Sequence, residues 1–127
     1  MYPSSVLTYP FFGNISAGWP SPAEEELIDQ ISFDELLIQD SSFMIKMTTN
    51  AMQDAGIHEG DIVIFQRGAK PKSGDIVIAE VESQWMMRYY QIEGNKPVLY
   101  PANGLYQVIK PEELSVIGVI SAVIRKY

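Results

Sequence analysis

The chain has 127 residues, with 16 acidic against 9 basic side chains and a formal net charge of −7. This length is typical of one domain with a substantial core, and an apolar share of 46% indicates a globular rather than a disordered chain. An acidic chain without a cluster of Lys and Arg cannot neutralise many phosphates, so we expect no direct sequence-specific binding to DNA.

Residues 1–23 carry no charged side chain and are rich in aromatic residues and proline. The prolines disfavour a helix and favour extended backbone; they are Pro3, Pro10, Pro20 and Pro22. A segment this apolar is expected to pack on a surface, either its own or that of a partner. The pattern therefore predicts an extended N-terminal arm over residues 1–23.

The negative charge is concentrated in the N-terminal third of the chain. The first basic residue is Lys46, and seven acidic residues precede it: Glu24, Glu25, Glu26, Asp29, Asp34, Glu35 and Asp40. Residues 46–127 hold nine acidic and nine basic residues. The whole net charge of −7 therefore comes from the N-terminal third, and residues 46–127 have no net charge.

The segment over about 24–40 is predicted to be a short helical lead-in. Ser21-Pro22 followed by glutamates is typical of a helix start and predicts a helix over about 22–30. Ser32 is a candidate cap for a second helical segment over 33–38. The acidic residues of this lead-in have two interpretations, as solvated helix faces or as a docking surface for a basic partner.

From about residue 43 the pattern changes to short apolar runs separated by turn residues. These runs predict seven strands, over residues 43–47, 61–66, 75–82, 85–92, 97–100, 106–109 and 115–125. The run over 85–92 has large apolar groups on both faces, so one face is expected to contact the arm or a second subunit. The predicted fold class is mainly β: a compact, curved β-rich domain over 24–127 with a short N-terminal helical segment and an extended arm.

Composition also limits the chemistry of the chain. It contains no cysteine and a single histidine, His58, which excludes disulfides, thiolate catalysis and multi-His metal sites. We therefore expect no metal and no cofactor, and His58 is interpreted as a solvated loop residue. No run of 18 apolar residues occurs and the N-terminus lacks the basic region of a secretory signal, so we expect no membrane segment and a cytoplasmic location.

Six motifs in a fixed order resemble one known family. They are Ser16–Ala23 (SAGWPSPA), Ile31–Gln39 (ISFDELLIQ), Met52–Asp61 (MQDAGIHEGD), Gly74–Glu80 (GDIVIAE), Tyr100–Asn103 (YPAN) and Gly118–Ile120 (GVI). Together they resemble the UmuD proteins, which are LexA-like self-cleaving accessory subunits of error-prone DNA polymerases. The resemblance implies a peptidase-like β domain, a homodimer, and an arm whose Ala-Gly or Cys-Gly bond the domain cleaves. Ala17 and Gly18 stand at the matching cleavage position.

The resemblance also implies partners and a pathway. In the family, RecA–DNA filaments stimulate cleavage of the arm during the SOS response to DNA damage. The shortened protein then joins a Y-family DNA polymerase for translesion synthesis. A homodimer, a Y-family polymerase and the RecA–DNA filament are therefore the expected partners.

The family cleaves with a serine nucleophile and a lysine base, and the resemblance assigns different residues to both positions here. In the turn Thr48-Thr49-Asn50-Ala51-Met52, Ala51 stands at the position of the serine, and Arg88 stands at that of the lysine. Alanine has no atom that can attack a carbonyl carbon, and arginine stays protonated and cannot act as a base. We therefore expect a catalytically inactive chain.

Several alternatives remain open. Thr48 or Thr49 could replace the nucleophile, and Lys46 or His58 could serve as the base only if the fold brings them to the same groove. The replaced dyad has two possible origins, a natural pseudo-peptidase or a mutation that traps the uncleaved state. The expected function is that of a UmuD-like accessory subunit that does not cut itself. The alternative is a dominant-negative interaction protein that pairs with active LexA- or UmuD-type regulators.

Overall fold

The computed structural model describes residues 7–13 and 29–127, and the structural statements below refer to these residues. The chain divides into two compact units, residues 1–39 and residues 40–127. No helix in these two described ranges is long and apolar enough to cross a membrane.

The described part of the first unit consists of a two-stranded antiparallel sheet and a short helix. Strand β1 (Tyr9–Phe11) pairs with β2 (Asp29–Ile31), and helix α1 spans Phe33–Leu37. The rings of Tyr9 and Phe33 lie 5.5 Å apart between centroids. Ser32 Oγ accepts a hydrogen bond from the backbone N–H of Glu35 at 3.4 Å, so the predicted cap of the second helical segment is confirmed.

The helix predicted over about 22–30 is wrong at its end, because Asp29 and Gln30 lie in strand β2. Residues 22–28 lie outside the described residues. The backbone of β2 pairs with β1, twenty residues earlier in the chain, and the hydroxyl of Thr8 donates to Oε1 of Gln30 at 2.7 Å. This pairing between distant segments outweighs the local helix signals, and it places a strand inside the predicted helical lead-in of 24–40.

The second unit is a six-stranded antiparallel sheet, which confirms the predicted mainly β fold class. In chain order its strands are β3 (Ser42–Lys46), β4 (Ile62–Arg67), β5 (Ile76–Val81), β6 (Gln84–Glu93), β7 (Lys96–Tyr100) and β8 (Ser115–Ile124). In space they run β3-β4-β8-β5-β6-β7, so the last strand lies between β4 and β5. The register shifts at Ile64/Phe65 of β4 and at Ile78/Ala79 of β5, and such bulges bend a sheet, in agreement with the predicted curvature.

Six of the seven predicted strands are confirmed to within about one residue at each end, and the strand predicted over 106–109 is wrong. Within that run, Ile109 alone forms a bridge, to Leu99. Asn103 holds the preceding residues in a turn, because its carbonyl oxygen accepts from the N–H of Tyr106 and its Oδ1 from the N–H of Leu105. These local bonds satisfy backbone donors that a strand would need for a ladder.

Both faces of the sheet are covered by apolar side chains. Along β5, Ile78 packs in one buried cluster while Val77 and Ala79 pack in another, as expected for a strand whose successive side chains point to opposite faces. The larger cluster joins the sheet to the loop that follows β3, through Met47, Met52, Ile57, Val63, Phe65, Ile78, Met87 and Ala102. The loop carrying the predicted nucleophile position is therefore packed into the core.

Candidate functional site

The turn that contains Ala51 is buried and held by backbone hydrogen bonds. Ala51 has no solvent-exposed surface. Its N–H donates to Thr49 Oγ1 at 3.4 Å, and its carbonyl oxygen accepts from the N–H of Ala102 at 2.8 Å. The side-chain amide of Asn103 donates to the carbonyl oxygen of Asn50 at 2.8 Å. The turn is therefore fixed against the segment that follows β7.

Asn50 also links this turn to the loop before β4. Its Oδ1 accepts from the N–H of Glu59 at 3.1 Å, and its carbonyl oxygen accepts from the N–H of Gln53, which begins a short 3₁₀ helix (Gln53–Ala55). This helix ends at Gly56, whose φ of 82° is in the left-handed region that favours glycine. The local geometry that positions Ala51 is thus built from the polar and glycine residues around it.

Arg88 is a buried cation on strand β6, with 9% of its surface exposed. Its Nη1 donates to the carbonyl oxygen of Met87 at 2.7 Å, and its guanidinium carbon lies 5.7 Å from the centre of the Tyr106 ring. Its buried Nε has no hydrogen-bond partner among the described residues. Burial lowers the pKa of Arg88 by desolvation, and the electrostatic interaction with Tyr106 opposes that effect. Arginine nevertheless remains protonated near neutral pH.

A groove of about 260 Å³ brings several of the predicted residues together. It is lined by residues 45–49 at the end of β3, by residues 84–88 of β6, and by Ile78 and Tyr106. Arg88, Thr48, Thr49 and Lys46 therefore share one groove. Ala51 is not among the lining residues, because it is buried in the turn two residues after Thr49.

The remaining candidates lie elsewhere. His58 lines a different depression together with Asp61 and Arg125, so it is not a base for this groove. Ala17 and Gly18, the predicted cleavage site, lie outside the described residues. Sequence reasoning missed Tyr106 as the neighbour of Arg88, because a strand was predicted there. Since the contact bridges 18 residues and depends on the turn at Asn103, no local signal in the sequence identifies it.

An ion pair joins the loop after the 3₁₀ helix to the last strand. Arg125 binds Asp61 with two hydrogen bonds, Nε to Oδ1 at 2.8 Å and Nη2 to Oδ2 at 2.6 Å. The N–H of His58 also donates to Asp61 Oδ2, and Arg125 Nη2 reaches the carbonyl oxygen of Gly56. The hydrogen bond from Arg125, followed by that from His58, lowers the pKa of Asp61 to about 2. This contact supports the loop that carries the site and is not part of the groove.

An antiparallel β domain of this kind is the fold that the LexA/UmuD resemblance implies. Residues 10–121 match the family described as Peptidase S24-like. The chain therefore belongs to the Peptidase S24-like family, and the resemblance to the LexA/UmuD proteins is confirmed.

Individual relatives agree with this assignment. The chain is 32% identical over 112 residues to Protein SamA of Salmonella typhimurium, covering 87% of this chain and 79% of SamA. It is 28% identical over 120 residues to Protein ImpA of Salmonella typhimurium, covering 91% and 82%. It is also 32% identical over 123 residues to the LexA repressor of Desulfatibacillum aliphaticivorans, covering 92% of this chain but 61% of the repressor. The chain thus spans about three fifths of the length of that repressor.

Proposed function

We propose that this chain is a cytoplasmic, UmuD-like accessory subunit of a Y-family error-prone DNA polymerase in the SOS response, and that it does not cut its own arm. The observation that carries the proposal is the pair Ala51 and Arg88, which we assign to the nucleophile and base positions of an otherwise intact S24-like fold. Family membership and the similarity to SamA and ImpA support the UmuD-like role.

The chemistry of the groove supports the loss of cleavage. The methyl group of Ala51 cannot attack a carbonyl carbon, and the guanidinium of Arg88 cannot accept a proton. Thr49 Oγ1 already accepts the N–H of Ala51. Lys46 lines the groove but is exposed, and the nearby turn offers it no serine nucleophile to activate. An active peptidase with a rearranged dyad is therefore the weaker interpretation.

The first experiment tests the inactivity directly. The purified chain is incubated with activated RecA–DNA filaments, and separately at alkaline pH, and its intact mass is recorded over time. We expect the full-length mass to persist under both conditions because neither half of the dyad is present. A new species that begins at Gly18 would contradict the proposal.

A second experiment asks whether the dyad alone is missing. The double variant Ala51→Ser/Arg88→Lys is expected to cleave the Ala17-Gly18 bond, because it restores a hydroxyl nucleophile and a lysine that burial can deprotonate. The two single variants serve as controls and should both stay intact, since each lacks one half of the dyad. If the double variant also stays intact, the loss of cleavage is not due to these two positions alone.

A third experiment separates the accessory role from the dominant-negative alternative. Native mass spectrometry of the chain alone, and of the chain mixed with an active UmuD-type relative, reports which dimers form. We expect homodimers of the chain in both samples and no heterodimer with the relative. Heterodimers that block cleavage of the relative, without polymerase binding, would favour the dominant-negative function instead.

A further inference from the structure

Asn103 and Gly104, in the turn after strand β7, form the one Asn-Gly pair of the sequence. In such a pair the backbone nitrogen of the glycine can attack the amide carbon of the asparagine side chain. The attack is least hindered before a glycine, because glycine has no Cβ atom to shield its nitrogen. The pair therefore has the chemistry for deamidation without an enzyme or a cofactor.

The side-chain amide of Asn103 is held in a position that favours this attack. Its Oδ1 accepts a hydrogen bond from the N–H of Leu105 at 3.0 Å, and the ring closed by this bond contains the nitrogen of Gly104. Attack at Cγ moves negative charge onto Oδ1. The N–H of Leu105 already donates to that oxygen, so it stabilises the charge as it develops.

The nitrogen of Gly104 is not engaged elsewhere in the described part of the chain. Gly104 is exposed, and its N–H forms no hydrogen bond within residues 7–13 and 29–127. The nitrogen becomes a nucleophile when it loses this proton to water or hydroxide. In these ranges no hydrogen bond opposes that loss.

The fold itself does not require a glycine at position 104. Six glycines of the described ranges have a positive φ, and Gly118 lies too close to β4 for a Cβ atom. Gly104 has neither property, because its φ is outside the left-handed region and a Cβ atom would meet nothing within 4 Å. An alanine at this position would therefore keep the turn and shield the nitrogen.

Asn103 also connects the segment after β7 to the turn at residues 48–52. Its Nδ2 donates to the carbonyl oxygen of Asn50 at 2.8 Å. Beside it, the N–H of Ala102 donates to the carbonyl oxygen of Ala51, also at 2.8 Å. The bond to Asn50 depends on the amide of Asn103, because a carboxylate has no hydrogen to donate.

We propose that Asn103-Gly104 is a deamidation site whose conversion weakens the link between the segment after β7 and the turn at residues 48–52. The nitrogen of Gly104 loses its proton and bonds to Cγ of Asn103. The bond between Cγ and Nδ2 breaks, and the amide nitrogen takes up one proton and leaves as ammonia. Water then opens the cyclic imide that remains, giving aspartate or isoaspartate. Water is the one co-reactant, and no group is oxidised or reduced.

Both products lose the donor that reaches Asn50. Aspartate at position 103 places a carboxylate oxygen against the carbonyl oxygen of Asn50, and two acceptors without a proton between them repel each other. Isoaspartate also routes the main chain through Cγ, which displaces the turn that the N–H of Tyr106 closes on the carbonyl oxygen of Asn103. The turn at residues 48–52 is therefore held by fewer bonds after conversion.

Incubation of the purified full-length chain at mildly alkaline pH tests the site. Peptide mapping by mass spectrometry records a gain of about 1 Da at each converted asparagine, and chromatography separates aspartate from isoaspartate. We expect conversion at Asn103, while Asn50 and Asn95, which are not followed by glycine, keep their amides over the same period. An intact amide at Asn103, or equal conversion at all three positions, would overturn the proposal.

Gly104→Ala is the matched variant for the chemistry, since a Cβ atom at this position meets no neighbour. It should keep the thermal midpoint of the unmodified chain and slow conversion of Asn103 several-fold, because the methyl group shields the attacking nitrogen. Conversion at an undiminished rate would contradict attack by the nitrogen of position 104.

Hydrogen exchange tests the effect on the turn. The N–H of Ala102 should exchange several-fold faster in Asn103→Asp, and also in the unmodified chain after conversion, because the neighbouring bond to Asn50 is lost. Asn95→Asp is the control for added charge, since Asn95 is exposed and lies in the turn between β6 and β7. Equal exchange at Ala102 in the two variants, and before and after conversion, would overturn the proposed weakening. A cut at Gly18 produces a different mass change, so this inference and the proposed function fail independently.

Discussion

At the scale of single residues, the groove and the ion pair show how burial changes the role of a charge. Arg88 is buried, and no carboxylate among residues 7–13 and 29–127 forms an ion pair with it. Arg125 is paired with Asp61 by two hydrogen bonds, so its charge is used within the domain. The same residue type is therefore paired with a carboxylate in one place, and in the other it contacts a carbonyl oxygen and an aromatic ring.

The pairing of Asp61 predicts a pH-dependent stability. The pKa of Asp61 falls from an ordinary value of 3.8 to about 2 in the folded chain. Its carboxylate therefore stabilises the fold at pH values above about 4, and this contribution is lost as the pH falls toward 2. The substitution Asp61→Asn should lower the urea midpoint at pH 7 and flatten its decline between pH 4 and pH 2.

The exposed Asp54 provides a control for this measurement, since Asp54→Asn removes a charge without breaking the pair with Arg125. Its urea midpoint should follow that of the unmodified chain at every pH. If Asp61→Asn also keeps the full decline between pH 4 and pH 2, the pair does not account for acid sensitivity.

At the scale of elements, the pairing of β4 with β8 depends on a glycine, Gly118. Gly118 of β8 lies opposite Arg67 of β4, close to the bulge at Ile64/Phe65. A Cβ atom at position 118 would lie 2.6 Å from the backbone oxygen of Gln66 and 2.6 Å from Cδ2 of Phe65. Glycine is therefore required at position 118 because atoms of β4 lie too close for a Cβ atom, and not because of an unusual φ.

Gly118→Ala is expected to destabilise the chain by about 1–3 kcal/mol, because a backbone atom cannot move aside as cheaply as a side chain. The free energy of unfolding in urea measures the effect. Gly104→Ala is the matched control, since a Cβ at position 104 would meet nothing within 4 Å. Equal stabilities of the two variants would show that the strands adjust to the added methyl group.

The outcome for individual elements shows which signals in a sequence are dependable. The six confirmed strands have local signatures, namely short apolar runs bounded by turn residues. The two errors involve tertiary context: Asp29 and Gln30 pair with β1, and Tyr106 follows a turn held by Asn103. A helix-start motif or an apolar run indicates the local preference of the backbone. It does not show whether a segment distant in the sequence offers the same backbone groups other hydrogen-bond partners.

At the scale of the whole molecule, residues 40–127 contain the complete six-stranded sheet, both buried clusters and the Asp61–Arg125 pair. All the residues that line the groove also belong to this unit. The groove is therefore built entirely within residues 40–127.

The fragment 40–127 is expected to fold on its own, because its strand pairing and its core are internal. Circular dichroism should show a β spectrum and a single cooperative thermal transition. Leu99→Ala within the fragment provides a reference, since this side chain is fully buried and its truncation should cost about 2–5 kcal/mol. A fragment without a cooperative transition would contradict independent folding.

The amino-acid sequence by itself determined the fold class, most strand positions, the acidic N-terminal third and the resemblance that points to Ala51 and Arg88. These features follow from local patterning, composition and motif order. Tertiary structure alone decided that Arg88 lies over the ring of Tyr106 and that Lys46 and Thr49 share its groove. It also decided that His58 lines a different depression. The physical reason is that burial and ion pairing depend on which distant segments the sheet brings together.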